Sequence, residues 1–242
     1  MDKEQRVSGL TAWIKEKVMA AGRRGVVLGL SGGVDSSLLA VLCKQAFPIN
    51  TIGLIMPCYS IDQDREHAED VARQFDIPTK TVVLNAVYDA LLHVLPDTKP
   101  DLSTARLAQA NIKARVRMVS LYYVANQMNY LVAGSGNRSE IFIGYFTKHG
   151  DAGADILPLG NLVKKEVREL ARFLDIPRAI IDKPPSAGLW QGQTDEDEMG
   201  FGYDTLDRYI MTSNAPEDTR SRIEYLRAAS QHKRVSPPIP DF

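Results

Sequence analysis

The run Gly25-Val26-Val27-Leu28-Gly29-Leu30 constrains the fold more than any other stretch. It is short and apolar throughout, so both of its faces need cover. A strand inside a parallel sheet, with helices on either side, meets that demand. The turn Ser31-Gly32-Gly33-Val34-Asp35-Ser36-Ser37 follows at once, and residues 36–47 read as a helix. The surrounding sequence repeats the alternation. An amphipathic helix carrying Leu10, Ile14 and Val18 comes first, and residues 50–56 form a second buried strand. Ser60 and Gln63 offer a capping box to a helix with Ala68, Val71, Ala72 and Phe75 on one face. Residues 80–84, 85–95, 103–129 and 130–133 then read as strand, helix, long helix and strand. This order predicts a doubly wound α/β fold with right-handed crossovers. Beyond Gly134 the pattern loosens into Gly- and Asp-rich residues 144–161, a helix over 163–174 and an irregular stretch over 183–203. Helices over 203–212 and 216–233 complete a chain read as a single domain, residues 1–242.

Composition narrows the functional classes. A chain of 242 residues, 44% apolar and 24% charged, buries a core without covalent or metal staples. Its net charge of −1 supplies no global field to gather nucleic acid or an anionic membrane, so neither is expected as a partner. An anionic substrate must therefore be held by local cations. Cys43 and Cys58 form no C-x-x-C pair, which fits a reducing compartment without a metal–thiolate centre. Cys43, in an apolar helical run, reads as a buried inert thiol. The charged start Met1-Asp2-Lys3-Glu4 lacks a signal-peptide core, and no apolar run approaches the ~20 residues of a membrane span. A soluble, cytoplasmic protein is expected.

The turn after the first strand is the chemical centre of the sequence. A strand end opening a helix presents free N–H groups and the positive end of the helix dipole, and so suits an anion. Gly32 and Gly33 permit close backbone approach, and Ser31, Ser36 and Ser37 add hydroxyl groups. Asp35 would repel a bare phosphate, which argues for a bridging Mg²⁺. No Gly-Lys-Ser/Thr follows and no G-x-G-x-x-G is present, so this is neither a Walker loop nor a dinucleotide fingerprint. It resembles the S-G-G-x-D-S signature of the ATP pyrophosphatases, which cleave ATP between its α- and β-phosphates.

Further constellations select within that superfamily. They are Asn111-Ile112-Lys113-Ala114-Arg115-Val116-Arg117-Met118, Gly134-Ser135-Gly136-Asn137-Arg138-Ser139-Glu140, and Gly144-Tyr145-Phe146-Thr147-Lys148-His149-Gly150-Asp151 with Gly153-Ala154-Asp155. Lys164 opens a helix where its charge opposes the dipole, which a nearby phosphate would explain. Lys183-Pro184-Pro185-Ser186 and His232-Lys233-Arg234 complete the set. Over nearly its whole length the chain resembles the NAD synthetases.

The resemblance implies the residue roles. ATP would contact Gly29, Leu30, Ser31, Gly32, Gly33, Val34, Asp35, Ser36, Ser135, Lys164 and Ser186. Deamido-NAD would contact Arg115, Lys148, Asp155, His232 and Lys233. Asp35 and Glu140 would ligate Mg²⁺ and, with Lys164, stabilise the charge that develops in catalysis. Ser135 stands where other members carry threonine, and the hydroxyl is kept. The expected reaction adenylates the nicotinate carboxylate with ATP, releases pyrophosphate, and uses ammonia to displace AMP. Ammonia is expected because the synthetase pattern begins within the first few dozen residues, and a separate glutaminase subunit stays open as its source. A tRNA thiolase would need further cysteines and a tRNA-lysidine synthetase a basic surface.

Two expectations concern larger parts. Residues 187–200 carry little apolar content and are expected to form a lid over the adenylate. The long helix bears Met118, Leu121 and Tyr122 beside the stripe Ala108, Ile112, Val116, Val119 and Tyr123, so it is buried on two sides. Its second cover is either another part of this chain or a second copy. The resemblance implies a homodimer with the deamido-NAD site near the subunit boundary.

Overall fold

The computed structural model describes residues 2–186, 188, 190 and 192–241. Strands β1 (Val26–Gly29), β2 (Thr51–Ile55), β3 (Thr79–Thr81) and β4 (Leu131–Ala133) form one parallel sheet in the order β3-β2-β1-β4. The N-terminal helices are α1 (Lys3–Ala20), α2 (Val34–Ala46), α3 (Asp62–Gln74), α4 (Asn85–Val94) and α5 (Leu102–Met128). After β4 come α6 (Arg138–Ile143), α7 (Lys164–Phe173), α8 (Arg178–Ile181), α9 (Asp195–Met199), α10 (Tyr203–Thr212), α11 (Glu217–Ala229) and α12 (Gln231–Arg234). The doubly wound α/β architecture expected from the alternation is the one observed.

The apolar run works as its composition demands. Val26, Leu28 and Leu30 join a core built with α1, α2, α3 and α7, while Val27 faces the opposite core with α4 and α5. Successive side chains of a strand point to opposite faces, so a strand covered on both sides must be apolar at every position. Cys43 is fully buried in the first core, and burial pushes its thiol pKa up, as befits an inert thiol. β1 pairs with β2 on one side and β4 on the other, so the strand order reverses between β1 and β4. A crevice opens at the carboxyl ends of strands on either side of such a switch point. The turns carrying Asp35 and Ser135 both leave the sheet there.

Several local expectations are corrected. Ser60 does not cap α3, whose N-cap is Ile61. The Ser60 hydroxyl instead accepts from the Cys58 N–H (3.3 Å) and from Arg117 (3.2 Å). The helix expected over 216–233 breaks at Ser230, whose hydroxyl donates to the Ile143 carbonyl of α6 (2.9 Å). The α5 stripe is turned from its expected position: Ala110, Ala114, Val116 and Ala125 are buried, whereas Val119 and Tyr123 are 60% and 63% exposed. Among the described residues no helix is long and apolar enough to cross a membrane.

Candidate active site

The phosphate loop leaves β1 and opens α2, whose N-cap is Gly33. Gly32 adopts a positive φ of 80°, and a Cβ there would stand 2.1 Å from the Asp64 carbonyl oxygen, so only glycine fits. Hydroxyl groups hold the turn from within. Ser31 and Ser36 share a hydrogen bond at 2.9 Å, and Ser36 and Ser37 donate to the Gly33 carbonyl at 3.0 and 2.8 Å.

Lys164, in the first turn of α7, is 3% exposed. Its Nζ lies 2.5 Å from Asp35 Oδ2 and 3.4 Å from Glu140 Oε1. The charge that opposes its own helix dipole is therefore answered by two carboxylates from α2 and α6. Burial works against the lysine charge, but Asp35 and Glu140 more than offset it and hold the pKa above the ordinary lysine value. The ring of Tyr203 lies 4.9 Å from the ammonium.

Side chains given no role in the sequence reading set this triad. Asn137, fully buried, donates to Asp35 Oδ1 (2.8 Å) and accepts from the Glu140 N–H (3.0 Å), while Glu140 Oε2 accepts from the Asn137 N–H (3.2 Å). This reciprocal cap starts α6, and its Asn-x-x-Glu spacing was a legible signal for a helix that the loop reading passed over. Asp207 of α10 accepts from the Ser139 hydroxyl (2.5 Å) and the Lys165 N–H (2.8 Å), so a buried carboxylate sits on the N-terminus of α7. Asp195, 4% exposed, accepts from the Tyr203 hydroxyl (2.9 Å), and its other oxygen has no partner among the described residues. Burial raises the Asp195 pKa while Lys164 pulls it down. Nothing in the acidic stretch around Asp195 distinguished it from solvated neighbours.

Asp35, Glu140 and Lys164 line a cavity of about 720 Å³, a size typical of ligand sites. Of the residues singled out above, Gly29, Leu30, Ser31, Gly33, Val34, Asp35, Ser36, Ser135, Glu140, Lys164 and Ser186 line it. Arg115, Lys148, His232 and Lys233 line the same cavity. Lys148 donates to the His232 carbonyl (2.7 Å), and Lys233 to the Gly144 and Phe146 carbonyls (both 2.9 Å). The C-terminal helix α12 is thereby tied to the 144–151 loop. Asp155 stands apart: it does not line the cavity, is exposed, and accepts from the Tyr122 hydroxyl (3.1 Å) and the Val132 N–H (2.8 Å). Residues 187, 189 and 191 of the expected lid lie outside the described residues. Farther along it, Gln193, Asp195 and Met199 are buried, which corrects the expectation that this stretch has little to dock.

The carboxylate pair fits a divalent cation, because the ammonium of Lys164 already occupies a cation position between two hard oxygen donors. No group of three or more potential protein ligands occurs among the described residues, so Mg²⁺ there would need phosphate oxygens as well. Glu140 is pushed up to about 8 from the ordinary 4.5 by burial, with Lys164 opposing and Asp35 adding to the rise. The unfolded chain gives up this proton near 4.5 and the folded chain only near 8, so stability falls as pH climbs between them. The urea midpoint of the wild-type protein should drop relative to Glu140→Gln between about pH 5 and about pH 8. A constant gap between the two proteins across that range would contradict the assignment.

Known proteins resemble this chain in sequence and in fold. The NAD synthase family model matches residues 6–237. The chain is 47% identical over 237 residues to the NH(3)-dependent NAD(+) synthetase of Carboxydothermus hydrogenoformans, covering 98% of this chain and 97% of that one. Its structure resembles the NMN synthetase of Francisella tularensis, with a TM-score of 0.93, 37% identity and complete coverage of both chains. It also resembles the NH3-dependent NAD synthetase of Campylobacter jejuni, with a TM-score of 0.81, 30% identity and complete coverage of both. A family-model match over residues 6–237, with a 47% identical relative covered over 97% of its length, means that this chain belongs to the NAD synthase family.

Proposed function

We propose that this chain is an ammonia-dependent NAD synthetase, a single-domain ligase that converts ATP, deamido-NAD and ammonia into NAD, AMP and pyrophosphate. The observation that carries the reading is one cavity lined both by the phosphate loop with the Asp35–Lys164–Glu140 triad and by Arg115, Lys148 and His232. A nucleoside triphosphate and an anionic nucleotide can thus meet in one enclosed space. A cytoplasmic setting suits such chemistry.

The reaction has two halves. The nicotinate carboxylate attacks the α-phosphorus, the bond to the β-phosphate breaks, and pyrophosphate leaves. Ammonia then attacks the acyl-adenylate carbonyl, AMP leaves, and the nitrogen loses a proton. The loop N–H groups, with the Ser31 and Ser36 hydroxyls, hold the phosphates, and Ser135 and Ser186 contact ATP from the facing walls. Lys164 turns from the carboxylates toward the phosphates and stabilises charge as the P–O bond breaks. Mg²⁺ on Asp35 and Glu140 would neutralise part of the pyrophosphate charge. Arg115, Lys148, Lys233 and His232 position deamido-NAD so that its carboxylate faces the α-phosphorus, and positioning supplies much of the acceleration.

The Francisella neighbour, an NMN synthetase, favours a second reading in which the same chemistry amidates nicotinate mononucleotide. We also propose a homodimer. Val119 and Tyr123 leave an exposed apolar face on α5, and Asp155, beside Tyr122, lies outside its own chain's cavity, where it could serve a partner's substrate. Leu121 is not on that face; it is half-buried and lines the cavity.

With ATP, Mg²⁺ and ammonium, purified protein should release pyrophosphate and AMP faster with deamido-NAD than with nicotinate mononucleotide. The reverse preference would establish the second reading, and ADP with phosphate would overturn both. In the same assay Asp35→Asn should lower kcat by roughly a hundredfold, the scale for loss of a charge-stabilising group. Light scattering should give twice the 26.8 kDa chain mass for the wild type and the single mass for the Val119→Glu, Tyr123→Glu double variant. A monomeric wild type at micromolar concentration would exclude the dimer.

A further inference from the structure

One ion pair inside the cavity takes no part in the steps above. Lys183, between α8 and α9, places its Nζ on Asp64 Oδ1, in the first turn of α3. Both residues line the cavity, and their side chains are 22% and 19% exposed. Asp64 also abuts the phosphate loop, since its carbonyl oxygen occupies the space that a Cβ on Gly32 would need. The residue that holds the Lys183 ammonium is therefore itself in contact with the loop that receives the phosphates. Gly188, farther along the same stretch, approaches the Asp64 carboxylate from the other side.

The other lysines and arginines of the cavity also have partners: Arg65 lies 3.4 Å from Asp62 and 3.9 Å from Glu69, and Arg115 donates to the Lys148 carbonyl at 3.4 Å. Lys164 holds Asp35 and Glu140, and Arg117 holds the Met56 carbonyl and Ser60. Lys148 and Lys233 hold backbone carbonyls. Lys183 differs because its partner can spare it. Asp64 lies in the first turn of a 13-residue helix, and the N-terminal end of that helix supports a carboxylate after the lysine leaves. A polyphosphate on the loop would repel the Asp64 carboxylate and offer Lys183 stronger, charge-assisted hydrogen bonds. The stretch has a second attachment, since Trp190 lies 4.4 Å from the guanidinium of Arg106 on α5, so Lys183 can move while the far end stays anchored.

We propose that Lys183 is a polyphosphate-binding residue held in reserve by Asp64. It exchanges Asp64 for the β- and γ-phosphates when ATP occupies the loop, and draws Ser186 over the nucleotide. This inference rests on the reading of the loop as an ATP site.

Calorimetric titration of ATP and of AMP, with Mg²⁺ present, tests it on the full-length wild type and three variants. Lys183→Met should weaken ATP roughly tenfold, the worth of one charge-assisted hydrogen bond, and leave AMP within about twofold. Lys183→Arg should keep most of the ATP affinity. Asp64→Asn should bind ATP at least as tightly as the wild type, because it frees the lysine. A purely structural ion pair predicts otherwise: Lys183→Met and Asp64→Asn would then weaken ATP together, or shift ATP and AMP alike. Either result, or unchanged ATP affinity in Lys183→Met, overturns the proposal. A wild type that binds no ATP would overturn the loop assignment as well.

Discussion

The architecture of the active end depends on one buried charge, the ammonium of Lys164 between Asp35 and Glu140. Taking an ion out of water costs several kcal/mol unless it is paired and hydrogen-bonded, and here burial favours the protonated form of Glu140 while Asp35 pairs Lys164 at 2.5 Å. Here Asn137 bonds Asp35 and forms the reciprocal cap with Glu140, and Asp207 with Ser139 seats the turn that carries Lys164. The interaction joins the N-terminal turn of α2 to those of α6 and α7, which lie more than a hundred residues farther along the chain. Burial that favours the protonated form of Glu140 leaves the triad near neutral, and loss of that proton would give it a net negative charge suited to a further cation together with an anionic ligand.

A second set of contacts shapes the cavity wall around Thr147 and Lys233. Thr147 donates to Asn111 of α5 (2.7 Å) and its N–H bonds Asp151 (2.9 Å), which closes the loop on itself. Lys233 then ties the C-terminal helix to the carbonyls of that loop. The Ser230 hydroxyl, on the Ile143 carbonyl, breaks the last helix where it must bend toward the site. The C-terminal helices thus do more than cover the sheet: they bring His232 and Lys233 to the cavity wall.

Much of this was legible in the chain, and the exceptions have identifiable causes. Continuous apolar character at 25–30 and 50–56 marked the central strands, because a strand covered on both faces leaves no polar position. The edge strand β3 is three exposed residues long, and its apolar neighbours Val82 and Leu84 pulled the expected strand beyond it. Ser60 had the spacing of a helix cap, yet Arg117 from α5 claims its hydroxyl, a competition between distant residues that local pattern does not encode. On α5 the apolar side chains surround so much of the helix that periodicity could not choose the buried face, and Val119 and Tyr123 were set on the wrong side. Asp195 and Asp207 lie among residues that read as solvent-facing, and only tertiary burial separates them from their neighbours.

The sequence by itself determined the doubly wound sheet, the phosphate loop at its switch point and membership of the NAD synthase family. Each rests on local order: apolar runs, glycines where a backbone must approach closely, and motifs of fixed spacing. Tertiary structure alone decided which charges meet. Lys164 lies 129 residues from Asp35 and 24 from Glu140, and Lys183 lies 119 from Asp64. It also turned Asp155 away from the cavity that its motif suggested. Electrostatic pairing depends on separation in space and on burial, and neither is set until the helices have closed over the strand ends.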